Sequence, residues 1–216
     1  MCIRDRYKIM NFKEGNIYHI YNHGINFQTI FFKHENYLYF LDKVRKYLKP
    51  NCEILSYSLI PNQFQLLIYA NDNTAPSDFN ERNKFSEGLR LLLSSYTKGI
   101  NRQEHRTGSL FTQNTKSRFV DLNYSNAEYC VNFIHQSPLR MELVNRLEDW
   151  EFSSFKEYWG HRSESLCNVD LAVKLLNIDL KDFYNYSNQI LNDDIVQKYF
   201  KNIEKIVPHF RDVALV

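Results

Sequence analysis

The chain has 216 residues, 44% of them hydrophobic and 24% charged, which is the balance of a folded globular protein long enough for one substantial domain and an appendage. A formal net charge of only +2 excludes a uniformly basic, nucleic-acid-coating protein, so attraction for phosphate must come from local clustering. No run approaches the roughly 18 apolar residues of a membrane span, no signal-peptide core is present, and Cys2, Cys52, Cys130 and Cys167 are too scattered for a zinc site, which together point to a cytoplasmic protein with reduced thiols.

In chain order, the opening "MCIRDRYKI" carries a charge cluster that fits no element, and residues 1–10 read as a non-native or disordered leader. "NIYHIYNHG" (16–24) alternates, is rich in Ile and Tyr and ends in glycine, which predicts a strand and its turn. That strand puts His19, Tyr21 and His23 on one face, where the two histidines are expected to pack in the core or at its rim. "HENYLYFLDKVRKYL" (34–48) sets Tyr37, Phe40, Leu41, Val44, Tyr47 and Leu48 at helical spacing, and Pro50 stops it. "CEILSYSLI" and "FQLLIYA" follow as two strands joined at Pro61 and Asn62, a hairpin. After a polar loop over 71–82, "FSEGLRLLLSSYTKGIN" (85–101) predicts a second helix with Leu89, Leu92, Leu93 and Tyr96 on its apolar side. The basic, glycine-broken "RQEHRTGSLFTQNTKSRFVD" then leads into a short strand near 116–121. "NYSNAEYCVNFIHQS" is a third helix with Tyr124 near its start and Pro138 closing it. A Leu- and Asn-rich helical stretch follows from about residue 165.

Strand, helix, strand, strand, helix, strand, helix is the order of an α+β fold: a ferredoxin-like antiparallel sheet with helices on one face, plus a helical C-terminal appendage. The expected division is a domain over 11–160 and a tail over 161–216.

Two amides interrupt the third predicted strand. In "SLIPNQFQLLIYA" (58–70), Gln63, Gln65 and Leu67 share one face while Phe64, Leu66 and Ile68 share the other. By alternation alone the glutamines read as solvated positions at the start of a half-buried strand. Lys98, Arg102, Arg106, Lys116 and Arg118 cluster between the second helix and the fourth strand, interleaved with His105, Phe111 and Phe119. Such a pattern supplies phosphate contacts and base stacking for single-stranded or hairpin DNA, although short basic clusters also occur as plain solvated faces. "DWEFSSFKEY" (149–158) reads as an aromatic anchor for the tail.

"YHIYNHGINFQTIFF", "ENYLYFLDKVRKYL", "LIPNQFQLLIYA", "LLSSYTKGINRQEHRTGSLF", "FIHQSPLRMELV" and "DWEFSSFKEY", six blocks in order over about 15–160, together resemble the insertion sequence 200-type transposases of the HUH superfamily, most closely the REP-associated tyrosine transposases. The resemblance implies a sheet with a Pro-Asn-His-hydrophobic-His motif, whose two imidazoles and a polar residue of the third helix hold magnesium or manganese. It also implies a tyrosine on that helix that attacks a phosphodiester of single-stranded or hairpin DNA, forming a 5′-phosphotyrosine link before strands are rejoined. Against that pattern this chain keeps Pro61 and Asn62, but Gln63 and Gln65 stand at the histidine positions. Phe133 stands at the nucleophile's place, and Ser137, one helical turn on, at the third ligand's.

The resemblance thus implies a transposase-family protein that binds hairpin or single-stranded DNA, with cleavage lost in this copy, a family cofactor absent or weakly held, and a possible homodimer. Two alternatives stay open: a ferredoxin-like module that binds RNA or protein, and an active enzyme with a relocated nucleophile such as Tyr129, one turn before Phe133. His135 points away from Phe133 and reads as structural.

Overall fold

A computed structural model describes residues 12–74, 83–121, 126–161 and 165–196. The leader, residues 75–82 of the expected polar loop, Tyr124 and the stretch beyond 196 lie outside the described residues.

Four strands, β1 (Ile17–His23), β2 (Glu53–Ile60), β3 (Gln63–Tyr69) and β4 (Lys116–Val120), form one antiparallel sheet in the order β2-β3-β1-β4. Two helices, α1 (His34–Tyr47) and α2 (Lys84–Gln103), make the crossovers from β1 to β2 and from β3 to β4. This is the expected ferredoxin-like order. β2 and β3 are joined by Pro61 and Asn62 alone, and the turn is covered because the backbone N–H groups of Ile30 and Phe31 donate to the Pro61 carbonyl and that of Gly24 to the Asn62 carbonyl.

Strand alternation sends two sets of side chains to two cores. Tyr18, Ile20, Tyr57, Leu59, Phe64, Leu66 and Ile68 face α1 and α2, which bury Tyr37, Phe40, Leu41 and Val44 and Leu89, Leu92 and Tyr96 against them. The helical spacing of these residues explains why both helices lie flat on the sheet. Phe40 is fully buried, and its truncation to alanine would cost about 3 to 5 kcal/mol.

Ile17, Tyr21, Leu55, Leu67 and Val120 face the other way, where α3 (Asn126–Arg140) packs through Cys130, Val131, Phe133 and Ile134. A bulge between Ile54 and Ser56 breaks the β2–β3 register and turns both Leu55 and Ser56 toward α3. α3 runs past Pro138 to Arg140, two residues further than the proline suggested. In the last turn a proline forfeits only the bond to the carbonyl four residues back, and the turn is completed by Met141 N–H donating to the Ser137 carbonyl.

After α3 come α4 (Phe155–Tyr158), α5 (Val169–Leu176) and α6 (Phe183–Asn188). Their Phe155, Tyr158, Ala172, Leu176 and Phe183 join the α3 core, so the C-terminal helices continue the layer begun by α3. The aromatic anchor is seen directly: Trp150 Nε1 donates to the Leu59 carbonyl at 2.9 Å and Phe152 stacks on Tyr37 with ring centroids 4.1 Å apart. No helix among the described residues is long and apolar enough to cross a membrane.

Candidate functional site

The register places a row of polar side chains on the α3 face. β1 contributes His19, Tyr21 and His23; directly opposite them on β3 stand Leu67, Gln65 and Gln63, and opposite His19 and Tyr21 on β4 stand Arg118 and Lys116. Cross-strand partners share a face, so these residues surround the lower surface of α3.

Gln63 and Gln65 are buried, 3% and 2% exposed, which corrects the solvated reading drawn from alternation. The alternation is right and the inference about water is not, because α3 covers this face as α1 and α2 cover the other. Gln65 is fully engaged. Its Oε1 accepts from His19 Nε2 at 3.0 Å, and its Nε2 donates to Ser137 Oγ at 2.7 Å. The Ser137 hydroxyl donates in turn to the Phe133 carbonyl at 3.0 Å. With the amide oriented in this way, His19 carries its proton on Nε2, and the chain of donors runs from β1 through β3 into α3. Burial lowers the His19 pKa to about 3, with Gln65 opposing the shift and the charge of Arg118 adding to it, so the ring is neutral.

Phe133 is 3% exposed and lies edge-on to His19, with ring centroids 6.4 Å apart. Gln65, Ser137 and Phe133, three of the positions singled out by the resemblance, therefore meet in one place. Gln63 faces His23 across β1, and its Nε2 has no hydrogen-bond partner among the described residues. Tyr129 is half-buried against the α3 core.

His135 occupies the opposite side of α3. Its Nε2 meets Ser154 Oγ at 2.7 Å and Ser56 Oγ at 3.1 Å, and burial lowers its pKa to about 3. This buried group ties α3 to β2 and to the anchor segment, the structural role expected of it. His23 is a rim residue, stacked on Phe27 with centroids 4.8 Å apart. Sequence reading missed the pairing of His19 with Gln65. The only available signal was their shared face once the two strands are aligned, and that register is not written in either strand alone.

The five basic residues fall in three places. Lys98 and Arg102 are exposed one turn apart on α2. Arg106 is turned inward, donating to Gln28 Oε1 at 3.1 Å and to the Ser109 carbonyl at 3.4 Å. Lys116 and Arg118 project from β4 on the α3 side of the sheet, with both residues exposed. Of the interleaved aromatics, Phe119 is 50% exposed, whereas Phe111 is buried against Phe64 and Tyr96 and offers no stacking surface.

No protein-family model matches the sequence, and no curated protein matches it either. Among solved structures, a REP-associated tyrosine transposase bound to a REP hairpin aligns with a TM-score of 0.52 at 14% identity, over 68% of this chain and 81% of that one. The fold is similar to that of a transposase. A bacterial tRNA(His) guanylyltransferase-like protein in complex with ATP also aligns, with a TM-score of 0.42 at 14% identity over 93% of this chain and 94% of that one.

The transposase resemblance implies a divalent cation, and the side chains at those positions do not fit one. Gln65 and Ser137 are neutral donors already bonded to each other, and the imidazole beside them donates to the same amide. A hard cation is held by carboxylates, carbonyls and water, with charge to offset its own. The charge felt by the His19 ring beside them is that of Arg118, of the same sign as a cation's. No group of three or more His, Cys, Asp or Glu suited to a metal comes together among the described residues.

Proposed function

We propose that this protein holds hairpin or single-stranded DNA on a transposase-like fold and does not cut it. The observation that carries this reading is the bond from the Gln65 amide to the Ser137 hydroxyl at 2.7 Å beside a buried phenylalanine, Phe133. On the resemblance, these are the positions of a metal ligand, a second ligand and the attacking tyrosine. In this chain they form a closed hydrogen-bonded contact with no tyrosine phenol and no charge, so a tyrosine-mediated transfer lacks its attacking group and the phosphotyrosine link that the second step consumes. Binding in this reading rests on Lys98, Arg102, Lys116 and Arg118 and needs neither magnesium nor manganese. Support for a hairpin ligand comes from the hairpin-bound transposase of similar fold.

The test is an adduct assay on denaturing gels with manganese and labelled hairpin DNA, run beside a chain carrying Gln63→His, Gln65→His, Phe133→Tyr and Ser137→Asn. The unmodified chain is expected to shift hairpin DNA on native gels and to form no covalent band. A covalent band from the unmodified chain would overturn the reading and direct mapping to Tyr129 first. Equal affinity for RNA and DNA hairpins, or none for either, would favour an RNA- or protein-binding module instead.

A further inference from the structure

α1 and α2 lie antiparallel on the face of the sheet away from α3. Asn36 Nδ2 donates to Gln103 Oε1 at 2.9 Å, the Tyr39 ring closes on Gly99, and the Tyr47 carbonyl at the end of α1 abuts Gly88 near the start of α2. The outer side of this helix pair is basic. On α1 the Lys43 ammonium lies over the Tyr39 ring, 4.3 Å from its centroid, and that of Lys46 lies 5.3 Å from the centroid of Tyr47. On α2 Lys98 is the neighbour of Gly99 and Arg102 follows one turn later; Lys46, Lys98 and Arg102 are exposed and Lys43 is half-buried. None of these four cations has an ion-pair partner among the described residues. The carboxylates of the two helices do not offset them: Asp42 is held by Arg45 and Glu87 by Arg90, and Glu35 and Glu104 stand beyond Arg102, where α1 begins and α2 stops.

We propose that Lys43, Lys46, Lys98 and Arg102 form a second DNA surface, which takes the phosphate backbone of a separate duplex segment without regard to sequence and leaves the other face of the sheet for the single strand or hairpin. The Asn36–Gln103 contact sets Arg102 near the start of α1, so Arg102 and Lys46 are about ten helical residues apart, roughly 15 Å, the rise of about four base pairs. Single-stranded DNA is held largely by stacking on open rings, whereas both rings on this stripe are engaged: Tyr39 lies under Lys43 and stacks on Tyr96, and Tyr47 lies under Lys43 and Lys46. A duplex offers such a surface only phosphates, which is what unpaired cations on a convex helix pair can bind. With two faces each holding DNA, one chain bridges two segments. This inference rests on the proposed DNA binding and adds a second kind of DNA on the opposite face.

The experiment loads the full chain on beads carrying a biotinylated single strand and adds a labelled blunt duplex of about 20 base pairs and mixed sequence. The loaded beads are expected to retain the duplex, and excess unlabelled duplex is expected to leave the protein in place. The variant Lys43→Gln, Lys46→Gln, Lys98→Gln, Arg102→Gln should stay on the beads and retain at least about tenfold less duplex, with the log–log salt slope for duplex, read by anisotropy, falling by about 3.6 for four phosphate contacts. Lys174→Gln, Lys181→Gln, which removes two exposed cations after α4, should change neither. Release of the protein by duplex, or loss of the fourfold variant from the beads, would mean one shared site, and an unchanged slope in that variant would place duplex binding elsewhere; each overturns this surface. Beads that hold the protein but no duplex overturn it while leaving the proposed function intact. A chain that binds neither single strand, hairpin nor duplex overturns both.

Discussion

Gln65 on β3 and Ser137 on α3 are 72 residues apart in the chain, and their side chains meet at 2.7 Å. The contact is one link in a directional series. His19 donates to Gln65, Gln65 to Ser137, and Ser137 back to the Phe133 carbonyl within the same helix. Each donor has an acceptor, so burial of these polar atoms costs little while the series is intact. The same residue types arranged without those partners would weaken the core they sit in.

Breaking the series in the middle should therefore cost more than removing its end. Gln65→Ala leaves the buried His19 Nε2–H without this acceptor and is expected to lower unfolding stability by about 1 to 3 kcal/mol. Ser137→Ala removes the acceptor of the Gln65 amide and a donor to the Phe133 carbonyl, an oxygen within the helix, and should cost less. Urea unfolding of both single variants and the double variant closes a cycle. The double variant should fall short of the sum of the singles by about 0.5 to 1.5 kcal/mol, and strict additivity would show that the 2.7 Å contact contributes nothing.

Two buried neutral histidines make stability depend on pH in a definite direction. His19 and His135 have folded-state pKa values lowered to about 3, below the 6.5 of an unperturbed imidazole. Above 6.5 neither state binds the protons and the stability is fully present; as pH falls from 6.5 toward 3 the unfolded chain takes them up first and stability is lost. Each histidine contributes a slope of up to about 1.4 kcal/mol per pH unit. Unfolding measured from pH 7 to pH 5, above the main carboxylate range, should show the decline, and His135→Gln should reduce its slope. An unchanged slope in that variant would place the pH dependence elsewhere.

The sheet was readable from its sequence because alternation, turn residues and helical spacing are local properties, and β1 to β4 with α1 and α2 fall where those signals put them. What the signals could not convey is coverage. Gln63, Gln65 and Phe111 look like surface residues by type or context, and all three are buried, Gln65 against Ser137 of α3 and Phe111 against Tyr96 of α2. Pro138 looks like a helix stop and is a last-turn residue, since the turn can be closed by neighbouring backbone groups. The candidate site was legible as a set of positions through the resemblance, whereas the role of His19 depended on a β1–β3 register that only the folded sheet supplies.

Two glycines in α2 test how closely the helices pack on the first core. A methyl group on Gly88 would lie 2.2 Å from the Tyr47 carbonyl oxygen at the end of α1, a backbone atom that cannot swing aside. On Gly99 it would lie 3.0 Å from a ring carbon of Tyr39, whose side chain is 40% exposed and free to shift. Gly88→Ala should destabilise by about 1 to 3 kcal/mol. For Gly99→Ala, the helix-propensity gain of about 1 kcal/mol should roughly cancel the contact, leaving the melting temperature nearly unchanged. Equal losses for the two would mean that α1 and α2 are not set by the Gly88 approach.

Gln136 decides how firmly the C-terminal helices hold to α3. It is fully buried; its Nε2 donates to the carbonyls of Ser187 at 2.8 Å and Gln189 at 2.9 Å, and its Oε1 accepts from the Leu191 N–H at 3.1 Å. Gln136→Ala leaves all three backbone groups without this partner, and Gln136→Glu sets a carboxylate against two carbonyls, so the charged variant should be at least as damaging. Hydrogen exchange provides the readout. The Leu191 amide should exchange faster in both variants while the amides of Ile20 and Leu66, in the central strands, keep their protection. Equal loss of protection in the strands would mean that the layer after α3 cannot open without the sheet, and that α3 and the C-terminal helices unfold with it as one unit.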